Sequence, residues 1–403
     1  MTIFAGKHLL LGVSGSIAAY KAADLASKLT QQGAQVNVIL TAGAEKFVTP
    51  LTFQSVTGQK AFTDADLWGG EAHILHVGLG HQADLFLIAP CTANTLAKLA
   101  HGQADNLLTI TALALAGRLL VAPAMDAGMY DHPATRENVR ILQERGVLFA
   151  GPAVGRMASG LNGYGRMLEP AEILGQARLA LARGGPLAGK RIVVTAGGTQ
   201  EPIDPVRFIT NRSSGKQGYA LAQAALEAGA AVTLITHPTG LVPPIGAEVV
   251  EVRTAQEMLE AVLKACEQAE ALVMAAAVAD FRVKQVAEHK LKKRDGIPQI
   301  ELTAAPDILG EVARQRSAFK QLKVVVGFAA ESRDFVENAI AKLSSKHLNL
   351  IAANDISAAD AGFAVETNRI TLLSADGSQE TLPLMSKDEV AAILIGRLAG
   401  LLE

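Results

Sequence analysis

Short apolar runs alternate with glycine-containing turns and stretches of helical periodicity along the chain. In the first half, an apolar run at 7–13 is followed by a Ser-Gly-Ser turn, a helical pattern at 17–31 and a second apolar run at 35–40. A strand, a glycine turn, a helix and a second strand make up a βαβ unit. Strands that alternate with helices, in a chain rich in Ala, Val and Leu, predict parallel strands covered by helices.

The same pattern returns in the second half, where an apolar run at 191–195 precedes a helical pattern at 217–226 and another run at 231–236. The phrases GAQVNVILTAG at 33–43 and GAAVTLITHPTG at 229–240 occupy corresponding places. Further strands are predicted at 83–90, 118–122, 248–252, 271–275, 324–328 and 348–353, helices at 96–102, 255–268 and 335–345, and a hairpin from 369–374 and 380–382. We therefore predict an α/β chain of two Rossmann-like domains with mostly parallel sheets.

The chain has 403 residues, which is enough for two hydrophobic cores. A helical pattern ending near residue 180 runs into Gly184-Gly185-Pro186 before the next strand. Glycine and proline clusters of this kind mark linkers. We predict a first domain at 1–180, a linker at 181–189 and a second domain at 190–403.

Composition narrows the class of protein further. The net charge is −2 with both signs interspersed, so we expect no nucleic-acid partner. Cys91 and Cys266 lie in different predicted domains, so no disulfide framework is implied. The apolar tract at 107–125 is interrupted by Arg118 and Pro123, and the N-terminal apolar run is too short for a signal peptide. We expect a cytoplasmic protein without a membrane span.

The stretch 191–219 carries the strongest chemical signal. Gly197 and Gly198 follow a strand, and the segment 213–216 (Ser-Ser-Gly-Lys) opens the next helix. Glycines let backbone N–H groups approach an anion, a helix N-terminus is partly positive, and Lys216 adds a full charge. A Walker A loop is excluded, because Thr210 replaces its first glycine and Gln217 its magnesium-binding Ser or Thr. The alternatives are a phosphate site and a tight βα turn without a ligand.

Neither βα unit has the features of an NAD site. Such a site places an acidic residue at the end of the second strand, where this chain has Thr41 in one unit and Thr236 in the other. A ligand with a single phosphate, such as FMN, is favoured in the first domain. The polar segment 91–95 (Cys-Thr-Ala-Asn-Thr) follows another strand, and it either caps a helix or helps to bind that ligand.

Several separate segments carry a family resemblance. They are GVSGSIAAYK at 12–21, HVGLGHQAD at 76–84, APCTANTLAKLAHG at 89–102, PAMDAGMY at 123–130, ASGLNGYGRMLEP at 158–170, and the stretch 191–219. The first half resembles the flavin-containing cysteine decarboxylases, which implies their flavoprotein fold. The whole chain resembles the bifunctional phosphopantothenoylcysteine decarboxylase/phosphopantothenate–cysteine ligases of bacterial coenzyme A biosynthesis.

The resemblance implies an FMN site in the first domain and a catalytic role for His76. The residues implied for FMN are Ser14, Gly15 and Ser16 at the phosphate, Thr41 at the ribityl chain, and Thr92, Ala93, Asn94 and Thr95 at the flavin. An alternative is a metal cluster of His73, His76 and His81, but no carboxylate or thiol spacing supports it.

Two residues implied for catalysis differ from the family pattern. Asp126 stands where the family usually has the Asn that contacts the substrate carboxylate, and Ser159 replaces a proton-donating cysteine. A second carboxylate repels the substrate, and a hydroxyl is a weaker acid than a thiol. The departures favour one alternative, a ligase whose flavin half binds FMN but is catalytically impaired. A second alternative, a flavin-binding regulatory protein, follows from the resemblance, because relatives of the first half act that way.

The resemblance implies a CTP-dependent ligase in the second domain, with 4′-phosphopantothenate and cysteine as the other substrates. Asn211 would hold the acyl-nucleotide intermediate, Lys290 would be catalytic, and fixed lysines with Mg²⁺ would stabilise phosphate charge. The segment 306–309 is predicted to begin a helix, with Pro306 at an early position. The residues implied at the substrates are Ser213, Ser214, Gly215, Lys216, Asp280, Lys290, Pro306, Asp307, Ile308, Leu309, Phe328, Lys342 and Lys346.

The resemblance also implies a homo-oligomer. Trimeric packing of the flavin halves and dimeric packing of the ligase halves would together give a dodecamer.

Overall fold

The structure is a computed structural model that describes residues 2–68, 74–156, 160, 162–331, 335–355 and 367–403, without the side chains of residues 295, 330, 331, 335 and 355. His73 and Ser159 lie outside the described residues. The chain divides into two compact units, Met1–Arg183 and Gly184–Glu403.

The first unit contains a six-stranded sheet in the order β3-β2-β1-β4-β5-β6, in which every neighbouring pair is parallel. Its elements are β1 (His8–Val13), α1 (Ala19–Gln31), β2 (Gln35–Leu40), α2 (Pro50–Thr57), β3 (Ala61–Phe62), α3 (Leu75–Gln82), β4 (Leu85–Cys91), α4 (Ala93–His101), α5 (Leu107–Leu113), β5 (Arg118–Pro123), α6 (Ala127–Asp131), α7 (Pro133–Glu144), β6 (Leu148–Phe149), the hairpin strands β7 (Ala153–Arg156) and β8 (Asn162–Arg166), and α8 (Pro170–Ala182).

The second unit repeats this order in an eight-stranded sheet, β13-β12-β9-β14-β17-β18-β20-β21. Its first six strands are parallel, and the last two add antiparallel pairs. Its elements are β9 (Arg191–Ala196), β10 (Gln200–Pro202), β11 (Phe208–Thr210), α9 (Lys216–Glu227), β12 (Ala231–Thr236), β13 (Glu248–Glu251), α10 (Ala255–Cys266), β14 (Ala271–Met274), β15 (Phe281–Val283), β16 (Leu302–Ala304), α11 (Ile308–Arg314), β17 (Val324–Glu331), α12 (Phe335–Ser345), β18 (Leu350–Asp355), β19 (Thr367–Asn368), β20 (Ile370–Ser374), β21 (Gln379–Thr381), β22 (Met385–Ser386) and α13 (Lys387–Leu402).

The order 3-2-1-4-5-6 is that of a doubly wound Rossmann fold, so the prediction of two Rossmann-like domains with mostly parallel sheets is confirmed. Helices cover both faces of each large sheet. In the first unit Leu9 and Leu11 belong to one core cluster, while the intervening Leu10 packs with Phe86 and Ile88 in another. Strands buried on both faces need continuous apolar sequence, which is why the local pattern located them.

Differences from the predicted bounds have local causes. The helix predicted at 96–102 begins at Ala93, because the Thr92 side chain accepts from Thr95 N and caps it. α11 begins at Ile308 with Asp307 as its N-cap, so Pro306 lies before the helix and not inside it. α8 extends to Ala182, two residues into the predicted linker. Among the described residues, the helices are all too short or too polar to cross a bilayer.

α9 lies close against β9 because residue 218 is glycine. A Cβ atom at Gly218 would lie 2.4 Å from Ala196 Cβ and 2.8 Å from the Thr195 carbonyl oxygen. Contacts this short between backbone and small side chains are relieved only when the helix moves away. The N-terminus of α9 is therefore held at the end of β9.

We predict that Gly218→Ala lowers the free energy of unfolding of the second unit by about 1–3 kcal/mol, because the added methyl overpacks this interface. Urea denaturation followed by circular dichroism would measure the change. Gly400→Ala in α13 is the matched control, since a Cβ there meets nothing within 4 Å. The control should be neutral or slightly stabilising, and equal effects of both variants would contradict the prediction.

Two candidate active sites at strand ends

The first unit has a cavity of about 570 Å³ at the carboxyl ends of β1, β2 and β4. This is where the strand order reverses, and doubly wound sheets bind ligands at that point. The lining residues are Ser14, Gly15, Ser16, Thr41, Ala42, Gly43, Asp64, Thr92, Ala93, Asn94, Thr95, Lys98, Asn106, Ala124, Met125 and Met129. The residues that the sequence associates with FMN are thus all brought together.

Ser14 holds two loops together. Its hydroxyl donates to the Pro90 carbonyl at 2.8 Å and accepts from Thr92 N at 3.1 Å, and its own backbone N–H also donates to Pro90. A serine hydroxyl has one proton to donate, so in this arrangement Ser14 positions the site and does not donate to a ligand. Ser16 instead accepts from Ala18 N, which leaves its own proton for a ligand.

Gly15 allows the loops after β1 and β2 to touch. A Cβ atom at Gly15 would lie 2.9 Å from the carbonyl carbon of Gly43. Gly15 was predicted at a phosphate, whereas Gly43 was not predicted in the site, although the repeated phrase that ends in TAG contains it. The contact closes one side of the cavity.

Several other lining residues were missed because their roles depend on contacts distant in sequence. Lys98 forms an ion pair of 2.7 Å with Asp105, and its hydrogen bond lowers the pKa of that carboxyl. Asp64 accepts from Leu107 N at 2.9 Å, and Asn106 caps α5. The Asp-Asn pair ahead of an apolar helix is the signal that could have predicted this cap.

His76 and Asp126 do not line the cavity. His76 lies in α3, and its Nδ1 atom is buried with no hydrogen-bond partner among the described residues. Asp126 follows the lining residue Met125 and caps α6, accepting from Gly128 N at 3.0 Å. Aspartate and asparagine cap helices about equally well, so Asp126 can replace the family's asparagine without structural cost.

Cys91 was examined by its position as a replacement for the family's proton-donating cysteine, and the histidines at 73, 76 and 81 as a metal cluster; neither role gains support in this unit. Cys91 is completely buried, is absent from the cavity lining, and has a pKa raised by burial, so it does not replace the missing cysteine. The proposed histidine cluster includes His73, which the structure does not describe. Within the described residues, no group of three His, Cys, Asp or Glu side chains is placed to hold a metal ion.

The second unit has a larger cavity, of about 770 Å³, at the carboxyl ends of β9, β14, β17 and β18. The residues assigned by sequence that line it are Asn211, Ser213, Ser214, Gly215, Lys216, Asp280, Pro306, Asp307, Ile308, Leu309, Phe328 and Lys342. Residues that sequence analysis missed include Arg212, Gln217, Asn354, Asn368 and Lys387.

Hydrogen bonds fix the loop after β14 against the loop after β9. Ala276 N and Ala279 N donate to the hydroxyls of Thr195 and Thr199 at 3.1 and 3.0 Å. Ala277 N donates to the Gly197 carbonyl at 2.8 Å. Asn211 Nδ2 in turn donates to the carbonyls of residues 277 and 278 at 2.9 and 3.2 Å. An amide held through its nitrogen presents its oxygen as an acceptor toward the cavity it lines.

On the opposite side of this cavity, Lys342 donates to the Phe328 carbonyl at 3.2 Å. Lys346 does not line the cavity, but it forms an ion pair with Asp307, which does. Burial raises the pKa of Asp307, but the Lys346 hydrogen bond and Gly310 N outweigh it, so the pKa lies below its ordinary value. Lys346 therefore reaches the cavity only through Asp307.

The structure does not bring Lys290 to the cavity, contrary to the sequence assignment. Lys290 is exposed, and the next residue is fixed elsewhere: Leu291 N donates to Asp204 Oδ2 at 3.1 Å, and its carbonyl accepts from Arg207 at 2.6 Å. Burial raises the pKa of Asp204, but hydrogen bonds from Arg207, Val206 N and Leu291 N lower it by more. The pKa of Asp204 therefore lies below its ordinary value. The carboxylate therefore clamps this segment against residues 203–207.

Family models match both units. A model described as flavoprotein matches residues 4–178, and one described as DNA/pantothenate metabolism flavoprotein C-terminal domain matches residues 187–401. Together with the two strand-end cavities, these matches define a flavoprotein joined to a second Rossmann-like domain.

Full-length relatives are coenzyme A biosynthesis bifunctional proteins CoaBC. The protein of Bacillus subtilis (strain 168) is 45% identical over 398 residues, covering 98% of this chain and 97% of the relative. The protein of Vibrio cholerae (serotype O1, El Tor Inaba N16961) is 44% identical, covering 98% of each chain. The chain therefore belongs to the family of coenzyme A biosynthesis bifunctional proteins.

Solved structures match each unit separately. The C-terminal domain of a coenzyme A biosynthesis bifunctional protein CoaBC is 40% identical, with a TM-score of 0.46, covering 54% of this chain and 98% of that one. The FMN-dependent cysteine decarboxylase SpaF is 35% identical, with a TM-score of 0.37, covering 44% of this chain and 97% of that one.

Because the Asp204 carboxylate holds two segments together, we predict that replacing it changes stability in a pH-dependent way. Because its folded pKa is depressed, Asp204 stabilises the fold above its unfolded pKa of about 3.9, and this contribution is lost as pH falls toward the folded value. Asp204→Asn should therefore unfold at a lower urea concentration than the wild type near pH 7. This gap between the two urea midpoints should narrow below about pH 4. Urea titrations at several pH values measure the gap, and one that stays constant down to pH 3 contradicts the role given to the carboxylate.

Proposed function

We propose that this chain catalyses two consecutive steps of coenzyme A biosynthesis. The second unit joins cysteine to 4′-phosphopantothenate at the expense of CTP, and the first unit decarboxylates the product to 4′-phosphopantetheine with FMN. The observation that carries the proposal is similarity over the whole length, at 45% identity, to a bifunctional protein of that pathway. The two cavities, each assembled from residues the family resemblance assigns, support it.

In the ligase half, the carboxylate of the acid attacks the α-phosphorus of CTP, and pyrophosphate leaves. The amine of cysteine then attacks the acyl carbon, and CMP leaves as the amide forms. Lys216 and the N–H groups at the start of α9 offset negative charge on phosphate oxygens, and Mg²⁺ would supply further positive charge. Asn211, anchored on the loop after β14, presents its amide oxygen to the acyl-nucleotide. Lys290 would act only if its segment closed over the cavity.

The first cavity fits FMN in size and chemistry. Its volume of about 570 Å³ is within the usual range for small-molecule sites, and its lining combines hydroxyl groups with apolar side chains. FMN, when bound, would supply a two-electron redox couple for the substrate thiol, which allows carbon dioxide to leave without a net change of oxidation state. Ser16 and the backbone at Gly15 would bind its phosphate, with Thr41 next to the ribityl chain. Residues 92–95 would orient the ring.

His76 would act in the cavity of a neighbouring copy. It does not line the cavity of its own chain, and its Nδ1 atom has no partner among the described residues.

A homo-oligomer also needs exposed apolar side chains. Tyr20 on α1 and Leu51 on α2 are 63% and 68% exposed, and Phe281 on β15 and Leu302 on β16 are exposed in the second unit. Trimers of the first unit and dimers of the second would build a dodecamer, whose mass native mass spectrometry would measure.

The direct test is to incubate the purified protein with 4′-phosphopantothenate, cysteine, CTP and Mg²⁺ and identify the products by mass spectrometry. We expect CMP, pyrophosphate and 4′-phosphopantetheine. Accumulation of 4′-phosphopantothenoylcysteine or its oxidised enethiol would show that the ligase works and the flavin half stalls. If no CMP forms, the function proposed for the second unit is wrong.

The serine at 159 supports one alternative, an impaired flavin half. We predict that Ser159→Cys increases the rate of 4′-phosphopantetheine formation, because a thiol donates the final proton more readily than a hydroxyl. The rate is measured from 4′-phosphopantothenoylcysteine, so that the ligase step is bypassed. Ser159→Ala is the control and should not be faster than the wild type. If Ser159→Cys is no faster either, proton donation at this position does not limit turnover.

A further inference from the structure

Thr199 is a buried polar residue at the base of the hairpin formed by β10 and β11. It is completely buried, it does not line the second cavity, and it is not among the residues predicted at the substrates. A hydroxyl group taken out of water costs free energy unless hydrogen bonds replace the lost water contacts. The contacts of Thr199 therefore indicate which neighbours it holds in place.

Its hydroxyl holds the segment that follows β14. Ala279 N donates to Thr199 Oγ1 at 3.0 Å. β14 ends at Met274, so Ala279 lies beyond the strand, and it is buried. A buried backbone N–H without a partner is unfavourable. Thr199 thus satisfies this group and fixes residues 275–279, which line the cavity.

The backbone carbonyl of Thr199 holds the residue before Asn211. Thr210 Oγ1 donates to this carbonyl at 2.8 Å, and Thr210 is the last residue of β11. In the antiparallel hairpin, Thr210 pairs with Gln200, the residue after Thr199. The hydrogen bond therefore closes the hairpin at its open end and fixes the backbone that leads into Asn211.

The Ala277 carbonyl connects Thr199 to the side chain of Asn211. It accepts from Asn211 Nδ2 at 2.9 Å and from Thr199 N at 3.4 Å, one for each lone pair. The Val278 carbonyl accepts from the same amide nitrogen at 3.2 Å. Because backbone carbonyls only accept, the amide nitrogen must face this segment, and the amide oxygen faces away from it. The direction of that oxygen thus depends on the segment that Thr199 holds.

The other strand of the hairpin is fixed to α10. Glu201 exposes only 3% of its surface, and its carboxylate accepts from the backbone N–H of Ala255, the first residue of α10, at 2.8 Å. The partial positive charge of a helix N-terminus favours a carboxylate at this place. Gln200 N also donates to the Arg253 carbonyl at 2.7 Å. β10 is thus a fixed support against which β11 positions Asn211.

The position of Asn211 matters most while the acyl-nucleotide waits for cysteine. That intermediate is a mixed anhydride, and two nucleophiles compete for its acyl carbon. The cysteine amine forms the C–N bond of the amide, loses a proton and displaces CMP. Water forms a C–O bond instead, loses a proton and displaces CMP, which returns the acid and consumes CTP without making an amide. Small displacements of a bound reactant strongly slow the attack for which the site is arranged.

We propose that Thr199 and Thr210 are positioning residues for Asn211, and that they keep the acyl-nucleotide aligned for attack by cysteine rather than by water. This rests on the proposed ligase function. Neither threonine lines the cavity, so both act through Asn211 and not on a substrate. Their loss should therefore uncouple the two steps of the ligase, while activation of the acid by CTP continues.

The test is Thr199→Val in the full-length, FMN-loaded protein supplied with CTP, Mg²⁺, 4′-phosphopantothenate and cysteine. Pyrophosphate is compared with the sum of 4′-phosphopantothenoylcysteine and the products formed from it, so that the flavin half does not affect the result. A fully coupled ligase forms the two in equal amounts. We expect the ratio of pyrophosphate to amide to rise by about 2- to 10-fold, as for loss of one hydrogen bond. The ratio should fall again as the cysteine concentration increases, and KM for CTP should change little.

A second variant and a matched control accompany this test. Thr210→Val should raise the same ratio by a smaller factor, because the Thr199 hydroxyl still binds Ala279 N. Thr210 is exposed, so its replacement does not threaten folding. Thr371→Val is the control, since Thr371 is a buried threonine of β20 outside the cavity lining. It should form pyrophosphate and amide in equal amounts.

The ratio separates positioning from a folding defect, because loss of folded protein lowers both products together. If the ratio stays at the wild-type value in both Thr199→Val and Thr210→Val, the positioning role is overturned, even where the rates fall. An equal rise in Thr371→Val also overturns it, since the effect would then be general. If the wild type itself releases no pyrophosphate, the ligase function fails and this proposal fails with it, whereas unchanged ratios in an active enzyme overturn only the role of the threonines.

Discussion

Each cavity depends on a buried hydroxyl at the point where the strand order of its sheet reverses. The hydroxyl joins the first strand of the unit to the end of the neighbouring strand or to the segment that follows it. Ser14, after β1, bonds to Pro90 and Thr92 at the end of β4. Thr195, in β9, accepts from Ala276 N after β14. Where strand order reverses, adjacent connections leave in opposite directions, and backbone groups there lack sheet partners. The hydroxyls satisfy these groups and hold the two loops at a fixed separation, which becomes the ligand cleft.

Local sequence pattern was sufficient for most of the strands and for the fold class. β2 and β12 have the predicted bounds, because each is a mostly apolar run that begins shortly after a glycine turn and lies in a sheet covered by helices. Errors occurred where one side chain decides a boundary. Thr92 moves the start of α4 forward by capping it, and Asp307 excludes Pro306 from α11. Such a choice depends on a single hydrogen bond, which hydrophobic periodicity does not report.

The candidate sites were predictable to the extent that their residues form contiguous motifs. Residues 14–16, 92–95 and 213–216 were found because each motif follows a strand. Asn354, Asn368 and Lys387 were missed because they come from three separate elements and meet only in the folded sheet. Lys290 is a different case, since the fold fixes its neighbour Leu291 to Asp204, outside the cavity lining, and the role assigned to Lys290 stays a prediction. Only the tertiary contacts distinguish these cases.

The distribution of charge separates the chemistry of the two cavities. Three lysines, Lys216, Lys342 and Lys387, are among the described residues that line the second cavity, whereas one lysine, Lys98, is among those that line the first. A net charge of −2 conceals this difference, because cations concentrated in one cleft are balanced by acidic residues elsewhere. The four basic residues that line the second cavity, Arg212 and the three lysines, outnumber its two acidic ones, Asp280 and Asp307, and an excess of one sign of charge in a cleft raises the local concentration of oppositely charged ligands. The second cavity is thus suited to a polyanion whose charge moves during the reaction, and the first to a neutral ring with one phosphate, held by hydroxyls and small residues.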